Sequence, residues 1–278
     1  MRTTGLLLLA CLWSWEANAQ APEQEQESDF WSAWFQRVDR SQAMQPRWVT
    51  PLATTTGRLE QEWRSDVFWV QRPDETVTNI GGGKGPSVIP WQRVEIIVSP
   101  PPYLNHSDAT SGDGFGDLGA LVKYRVASAN EQRGNYVLTA FLGMTFQTGG
   151  APNGAEHATF TPSVAYGKGW GRVDVQGTAG VSLPTHITPR LGRAFIANNT
   201  LQVHAGRWLW PEVEMNATHF IDGLNAGRTQ MFITPALLLG RFHVWRRMAL
   251  TAGAGFQIAV TEFHTSNHNV IVSIRLPF

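Results

Sequence analysis

The sequence predicts an all-β protein: a transmembrane, antiparallel, up-and-down β-barrel of about twelve strands, with a short N-terminal periplasmic helix. Three observations carry that expectation. After Gly57 the apolar residues recur with period two and keep that period to the end of the sequence. The alternating segments run to about ten residues, the length a tilted strand needs to cross a bilayer. The connections between them are alternately long and short, as they are when one end of a barrel faces outward and the other inward.

The sequence opens on an export signal. Arg2 supplies a positive n-region, Gly5 to Trp15 an apolar core, and Ala17-Asn18-Ala19 an A-x-A cleavage site. A lipoprotein signal around Leu8-Leu9-Ala10-Cys11 is disfavoured, because the apolar run before the cysteine is shorter than the roughly 7–15 residues of an h-region. Cleavage after Ala19 removes Cys11, leaving no thiol for a disulfide, a zinc site or a nucleophile. Beyond the signal no apolar run reaches the 18 or so residues of a membrane helix. The expected division is a signal peptide at 1–19, a periplasmic segment at 20–57 and a barrel at 58–278.

Composition fits an outer-membrane location. There are 12 tryptophans, 16% charged residues and a formal net charge of zero, where soluble surfaces come from chains with about 25% charge. Neutrality also excludes nucleic acid as a partner, since phosphate binding needs a basic patch.

Residues 20–28 are polar and acidic. A helix is expected near 29–42, capped by Asp29, with Phe30, Trp31, Trp34, Phe35 and Val38 on one face and Gln36, Arg37 and Arg40 opposite. It is expected to dock on the periplasmic rim or lie at the membrane interface, where Trp is favoured. A plug in the lumen is the less favoured placement, because the apolar face would meet a polar wall.

Strands are expected near 58–71, 74–81, 88–98, 116–127, 135–147, 157–168, 170–182, 195–206, 209–221, 228–242, 247–260 and 268–278. The long connections are 99–115, 148–156, 183–194, 222–227 and 261–267, each following an odd-numbered strand. A soluble β-sandwich would alternate in hydropathy too, but nothing in it requires loop length to follow strand parity. Tyr136, Phe146, Phe160, Tyr166 and Phe195 have outward parity near strand ends, where aromatic girdles belong.

In the last strand Val270, Val272, Ile274, Leu276 and Phe278 share an apolar face, opposite Asn269, Ser273 and Arg275. A strand closing on Phe278 resembles the terminal strand of outer-membrane barrels, and the resemblance implies an assembly signal read by the barrel-assembly machinery. Outer-membrane lipid is the other expected partner.

Parity sends a set of charges inward: Arg58, Glu60, Glu62, Arg64, Asp66, Arg93, Glu95, Asp117, Lys123, Arg125, Arg172, Asp174, His204, Glu212, Glu214 and Arg247. A basic residue facing lipid at the midplane costs about 2–4 kcal/mol, so these belong in the lumen. They form either a polar conduit or structural ion pairs filling a narrow barrel. Both signs are present, so no strong preference between anions and cations is expected.

Three stretches resemble one group. Gln45-Pro46-Arg47-Trp48-Val49-Thr50-Pro51-Leu52 precedes Arg58-Leu59-Glu60-Gln61-Glu62. Gly114-Phe115-Gly116-Asp117-Leu118 runs into Lys123-Tyr124-Arg125, and a strand ends at Phe146-Gln147-Thr148-Gly149. Together these are similar to the outer-membrane family associated with the meta-pathway of phenol degradation, whose members often show Pro-Thr-Gly where this chain has Gln147-Thr148-Gly149. The resemblance implies a barrel with a transport role and leaves the cargo open.

Other motifs fail. Gly81-Gly82-Gly83-Lys84-Gly85 lacks phosphate-loop spacing and reads as a turn. The acidic stretch from Asp108 to Asp117 lacks the alternating oxygen ligands of an EF-hand. His264 and His268 fall on a loop, where a four-residue spacing builds no metal site. No metal or other cofactor is implied. The expected function is passive passage of small solutes, hydrophobic or aromatic ones among them. The alternatives are a barrel enzyme hydrolysing lipid or peptide, built on groups such as His204, Ser182 and Asp174, and a closed structural or adhesive barrel.

Overall fold

Residues 29–108 and 111–278 are described in the computed structural model, so the expected signal peptide and polar lead at 1–28 lie outside the described residues. Helix α1 (Phe30–Ala43) is followed by strands β1 (Glu62–Gln71), β2 (Thr76–Trp91), β3 (Val94–Ser99), β4 (Tyr103–His106), β5 (Gly114–Phe115), β6 (Leu118–Ala129) and β7 (Tyr136–Phe146). Then come β8 (Thr159–Trp170), β9 (Val173–Pro184), β10 (Ala194–Val203), β11 (Leu209–Phe220), β12 (Thr229–Trp245), β13 (Met248–Ala259) and β14 (His268–Pro277).

Twelve of these strands close an antiparallel barrel, each paired with its sequence neighbour. Closure is made by β14 against β1, with Trp63 opposite Leu276 and Val67 opposite Val272. The other two strands, β4 and β5, extend the wall at the long-loop end. There β3 is short, and β4 takes its place beside Val77–Ile80 of β2.

Alternation positions the two faces. On β14, Asn269, Ile271, Ser273 and Arg275 are buried, while Val270, Val272 and Ile274 are exposed. On β9, Asp174, Gln176 and Thr178 are buried against the lumen. Outside lie Leu138, Val164, Leu237 and many other large apolar side chains, with Tyr136, Phe146, Phe160, Tyr166 and Phe195 exposed among them. Trp91, Trp170, Trp208 and Trp245 are exposed around the short-turn end. The interior is therefore polar and the exterior apolar, the reverse of a soluble domain.

The structure corrects five expectations. The segment Gly81–Gly85 is not a turn but the middle of β2, and the turn falls instead at Gln92-Arg93. Glycine permits this because β2 is bulged against β1 between Arg64 and Val67. A Cβ on Gly83, which sits at φ +111°, would lie 2.3 Å from the Asp66 carboxylate. Strand β1 starts at Glu62 rather than residue 58. The alternation of Arg58 and Glu60 belongs to a segment that turns inward before the first pairing.

Asp29 occupies the N-cap position of α1 without a capping bond from its side chain, and its carbonyl accepts from the Ala33 amide at 3.0 Å. The chain after α1 does not remain in the periplasm. Residues 45–61 enter the barrel and fill much of its cross-section, with Leu52, Thr56 and Leu59 completely buried.

Helix α1 itself crosses the short-turn end. Arg37 donates to the Pro90 carbonyl at 2.7 Å and Ser41 to the Gln92 carbonyl at 2.9 Å. Asp39 meets Arg247 in the β12–β13 turn, and Arg247 Nη1 donates to Asp39 Oδ2 at 3.1 Å. The packed residues are Trp34 and Val38, one turn apart, with Val38 against Leu59 and Ile89. Phe30 and Trp31, expected on the same apolar face, project into the surroundings.

Candidate functional site

The lumen is organised around the segment 45–61, whose backbone finds its partners in the wall's charged and amide side chains. A helix would satisfy these amides and carbonyls within itself and a strand through its neighbours; an unpaired segment in a closed space has neither, so the wall side chains must. Glu212 accepts the Leu52 amide at 2.8 Å, and Glu214 accepts those of Ala53 at 2.6 Å and Thr54 at 2.5 Å. From the opposite wall Arg64 donates to the Leu52 carbonyl and Arg275 to the carbonyls of Thr50 and Pro51. Gln176 accepts from the Thr56 hydroxyl at 2.6 Å and donates to the Val49 carbonyl at 3.2 Å. Arg241 donates to the Trp48 carbonyl at 3.0 Å. An apolar contact set of Val49 and Leu52 with Trp210, Leu238 and Ile271 completes the anchorage.

Nearer the short-turn end, Arg58 is buried and pairs with Glu60 at 2.8 Å, donating also to the Pro46 carbonyl at 2.6 Å. The Glu60 amide donates to Glu95, which pairs with Lys123 at 3.0 Å, and Lys123 donates to the Arg58 carbonyl. Arg125 reaches the Ser41 carbonyl at 2.7 Å and the Gln45 amide oxygen at 2.9 Å. Glu62 is buried beside them, and Arg64 pairs with Asp66 at 2.8 Å. A buried charge without such partners would cost several kcal/mol, so these groups and the segment hold each other in place.

The remaining candidates fall elsewhere. Arg93 is exposed in the two-residue β2–β3 turn, and Arg247 lies exposed on the rim; both were expected in the lumen. Their strands begin later than parity alone indicated, β3 at Val94 and β13 at Met248. Arg172 is exposed in the β8–β9 turn, at the edge of a cavity that also reaches Asp174 and His204. Asp117 fastens the loop after β7, accepting the amides of Thr148, Gly149 and Ala155. That accounts for the Gly-Asp motif without invoking a conduit. Phe278 donates its amide to the Gln61 carbonyl at 3.0 Å, beside the point where the chain turns inward.

Ser182 lies eight residues up β9 from Asp174, far from the cavity shared by Asp174 and His204, so the three do not converge. Gln176, Gln202, Arg241 and Arg275 were not among the expected site residues. Arg275 was legible as inward by its parity with Ser273; Arg241 follows a break in the β12–β13 register that parity cannot cross.

Two cavities flank the segment. One, of about 520 Å³, opens at the short-turn end beside Arg47 and Trp48; the other, of about 400 Å³, opens at the long-loop end beside Thr55, Asn79 and Lys84. Between them the segment lies directly on the wall. A Cβ on Gly57 would approach Val137 to 3.3 Å, and one on Gly167 would approach the Trp48 ring to 2.6 Å.

A closed sheet pairs its backbone groups within itself, and an apolar exterior around a charged interior is stable when that outside lies in lipid. The protein is an outer-membrane β-barrel. In comparison with solved structures, the chain is similar to an outer-membrane channel from Pseudomonas putida F1. The identity is 16%, with 83% of this chain and 100% of that one covered at a TM-score of 0.54, which shows a shared fold. It also aligns with the NanC porin at 9% identity and a TM-score of 0.47, covering 77% of this chain and 98% of that one. No protein-family model and no curated protein matches the chain.

Proposed function

We propose that this protein is an outer-membrane channel through which small solutes pass down their gradient, with residues 45–61 as the element that limits passage. The observation that carries this reading is the pair of cavities opening at opposite ends of one barrel, with that segment and the wall side chains bonded to it between them. The solved channel from Pseudomonas putida F1 supplies the fold precedent. The stretches Gly114–Leu118 and Lys123–Arg125 support kinship with the meta-pathway family, and a transport role agrees with it. The cavities mix charged and polar groups with apolar ones such as Trp48, Trp210, Leu121 and Met144, a lining that suits polar solutes and small aromatic ones alike.

The test is a planar-bilayer recording on a barrel whose segment can be tethered. The Asn216 amide donates to the Thr54 hydroxyl at 3.4 Å, so these side chains face each other and a Thr54→Cys, Asn216→Cys pair is the one to cross-link. Discrete conductance steps that fall on oxidation and return on reduction support the reading. Steps indifferent to the bridge would move the path away from the segment. A barrel silent in both states and in the wild type would be a closed structural one, the second reading, which the close packing of Gly57 on Val137 and Ala165 favours.

A further inference from the structure

The short turns carry a repeat that the barrel does not need. Trp91-Gln92-Arg93-Val94 joins β2 to β3, Trp170-Gly171-Arg172-Val173 joins β8 to β9, and Trp245-Arg246-Arg247-Met248 joins β12 to β13. In each, the tryptophan pairs across the turn with the last residue named, and the two between them make the turn. The other two short turns combine an arginine with an aromatic ring in another order, Arg207-Trp208 before β11 and Arg133 ahead of Tyr136 of β7.

Turn chemistry does not select arginine here. A two-residue hairpin favours glycine or asparagine, because its central residues take positive φ. Gly171 meets that need at φ 59°, whereas Arg246 sits at φ 45°, where a long side chain is disfavoured. Ion pairing does not account for the arginines either. Arg247 has Asp39, but among the described residues Arg93, Arg133, Arg172, Arg207 and Arg246 have no carboxylate partner.

The aromatic members fix the height of this ring. Trp91, Tyr136, Trp170, Trp208 and Trp245 are all exposed at the lip of the apolar exterior, and such rings settle at the membrane–water interface. The arginines beside them therefore stand at the level of the lipid phosphates. Two are held against the belt itself, with the Arg207 guanidinium carbon 4.6 Å from the Trp208 ring centroid and that of Arg246 4.8 Å from Trp245.

The long-loop end is built differently. Asp74, Glu75, Asp113, Glu156 and Asp222 lie there, and Arg72 and Arg193 are each paired with one of them. Glu131 is the one acidic residue in the five short turns, and it accepts the Arg47 amide. A chain of zero formal net charge is thus polarised along the barrel axis, with its unpaired cations on the short-turn rim.

An anionic phospholipid headgroup matches that rim. Its phosphate diester can take two parallel N–H bonds from one guanidinium, and its acyl chains continue onto the apolar outer face. It carries no ammonium to repel a second arginine, as a zwitterionic headgroup does. We infer that the short-turn rim is a ring of binding sites for anionic phospholipid in the leaflet at that end of the barrel. This depends on the membrane location of the barrel and not on whether it conducts.

The experiment places the full-length protein in vesicles of dibrominated phosphatidylcholine containing increasing phosphatidylglycerol. Tryptophan quenching then gives the relative affinity of the two lipids for the barrel surface. An arginine near an anionic surface is worth about fivefold in binding, so a clear preference for phosphatidylglycerol is expected at low salt. It should fade in about 1 M salt, where the Debye length is about 3 Å. Arg172→Gln should lower the preference in part. Arg93→Gln, Arg172→Gln and Arg246→Asn together should remove most of it, asparagine being suited to the left-handed position. Arg190→Gln, exposed in the long loop before β10, should leave it unchanged. Heat-modifiability gels confirm that each barrel is folded. Equal affinity of the wild type for the two lipids, a preference that survives 1 M salt, or one unchanged in the folded variants would overturn the inference. So would its loss on adding millimolar inorganic phosphate at constant ionic strength, which would make the ring a site for soluble anions. A conducting barrel without the preference sinks the ring alone, and a silent barrel that shows it sinks the channel alone.

Discussion

Arg275, near the end of the last strand, donates to the carbonyl of Pro51 at 2.9 Å across the lumen. The same guanidinium serves Thr50, while the neighbouring Ser273 hydroxyl accepts from its Nε at 3.0 Å. The strand that closes the barrel thus also anchors the segment that fills it.

Arg275→Met should loosen that segment without opening the wall. Hydrogen bonds to a charged group are worth about 1.5–3 kcal/mol, which corresponds to roughly a tenfold to hundredfold rise in the freed population. Limited proteolysis should cut within residues 45–61 faster than in the wild type, while heat-modifiability is retained. Lysine should rescue only in part, because it lacks the planar fork that reaches two carbonyls.

Lipid-facing and lumen-facing positions should both reject arginine, for different reasons. Ile274 is 51% exposed on the outer face, and Val175 shares that parity on β9; arginine at either costs about 2–4 kcal/mol in the bilayer. By parity alone Ser273→Arg would be tolerated, since it points at a polar lumen. Its side chain is fully buried against Arg275, and Asp66 opposite it is already paired with Arg64, so a second guanidinium has no space and no free counter-charge. All three variants should give less heat-modifiable barrel, and normal assembly of Ser273→Arg would show that the lumen has room.

Gly167→Val should displace Trp48. A Cβ there meets the indole at 2.6 Å, and the ring cannot retreat because its own backbone is held by Arg58 and Arg241. Overpacking of this kind costs about 1–3 kcal/mol. It should appear as a lower unfolding temperature.

A pH dependence is expected at the long-loop end. His106 on β4 meets Glu75 at 2.8 Å through Nδ1 and Asn153 at 2.8 Å through Nε2, and Arg72 pairs with the same Glu75. The hydrogen bond to Glu75, then that to Asn153, lifts His106 above the ordinary histidine value. The bond from His106 holds Glu75 below the usual carboxylate value. The histidine contribution is complete below about pH 6.5 and disappears as pH rises through its raised value. The glutamate contribution is complete above about pH 4.3 and disappears as pH falls through its lowered value. Amides of residues 148–156 should therefore be best protected near pH 5–6 and less so at pH 8.5, after correction for intrinsic exchange. His106→Gln should flatten that difference.

Much of this architecture was written in one-dimensional order. The alternation in β9 and β14 gave the two faces directly, because a side chain's face on a strand depends only on odd or even position. Loop parity gave the strand count for the same local reason. Gly81–Gly85 misled because glycine signals a turn and a bulge alike. Only the carboxylate of Asp66, brought alongside Gly83 by the β1–β2 pairing, shows which it is. The run Arg58-Leu59-Glu60-Gln61-Glu62 misled more deeply, since its alternation is that of a strand although only Glu62 pairs as one.

The sequence by itself determined a barrel with an apolar outside, a charged inside and a helix ahead of it, since each of these follows from the period and type of neighbouring residues. Only the tertiary structure decided that the charges face a chain segment instead of open water. The physical reason is that a hydrogen-bond partner such as Glu214 for Ala53, 161 residues apart, is chosen by closure of the barrel and leaves no trace in local pattern.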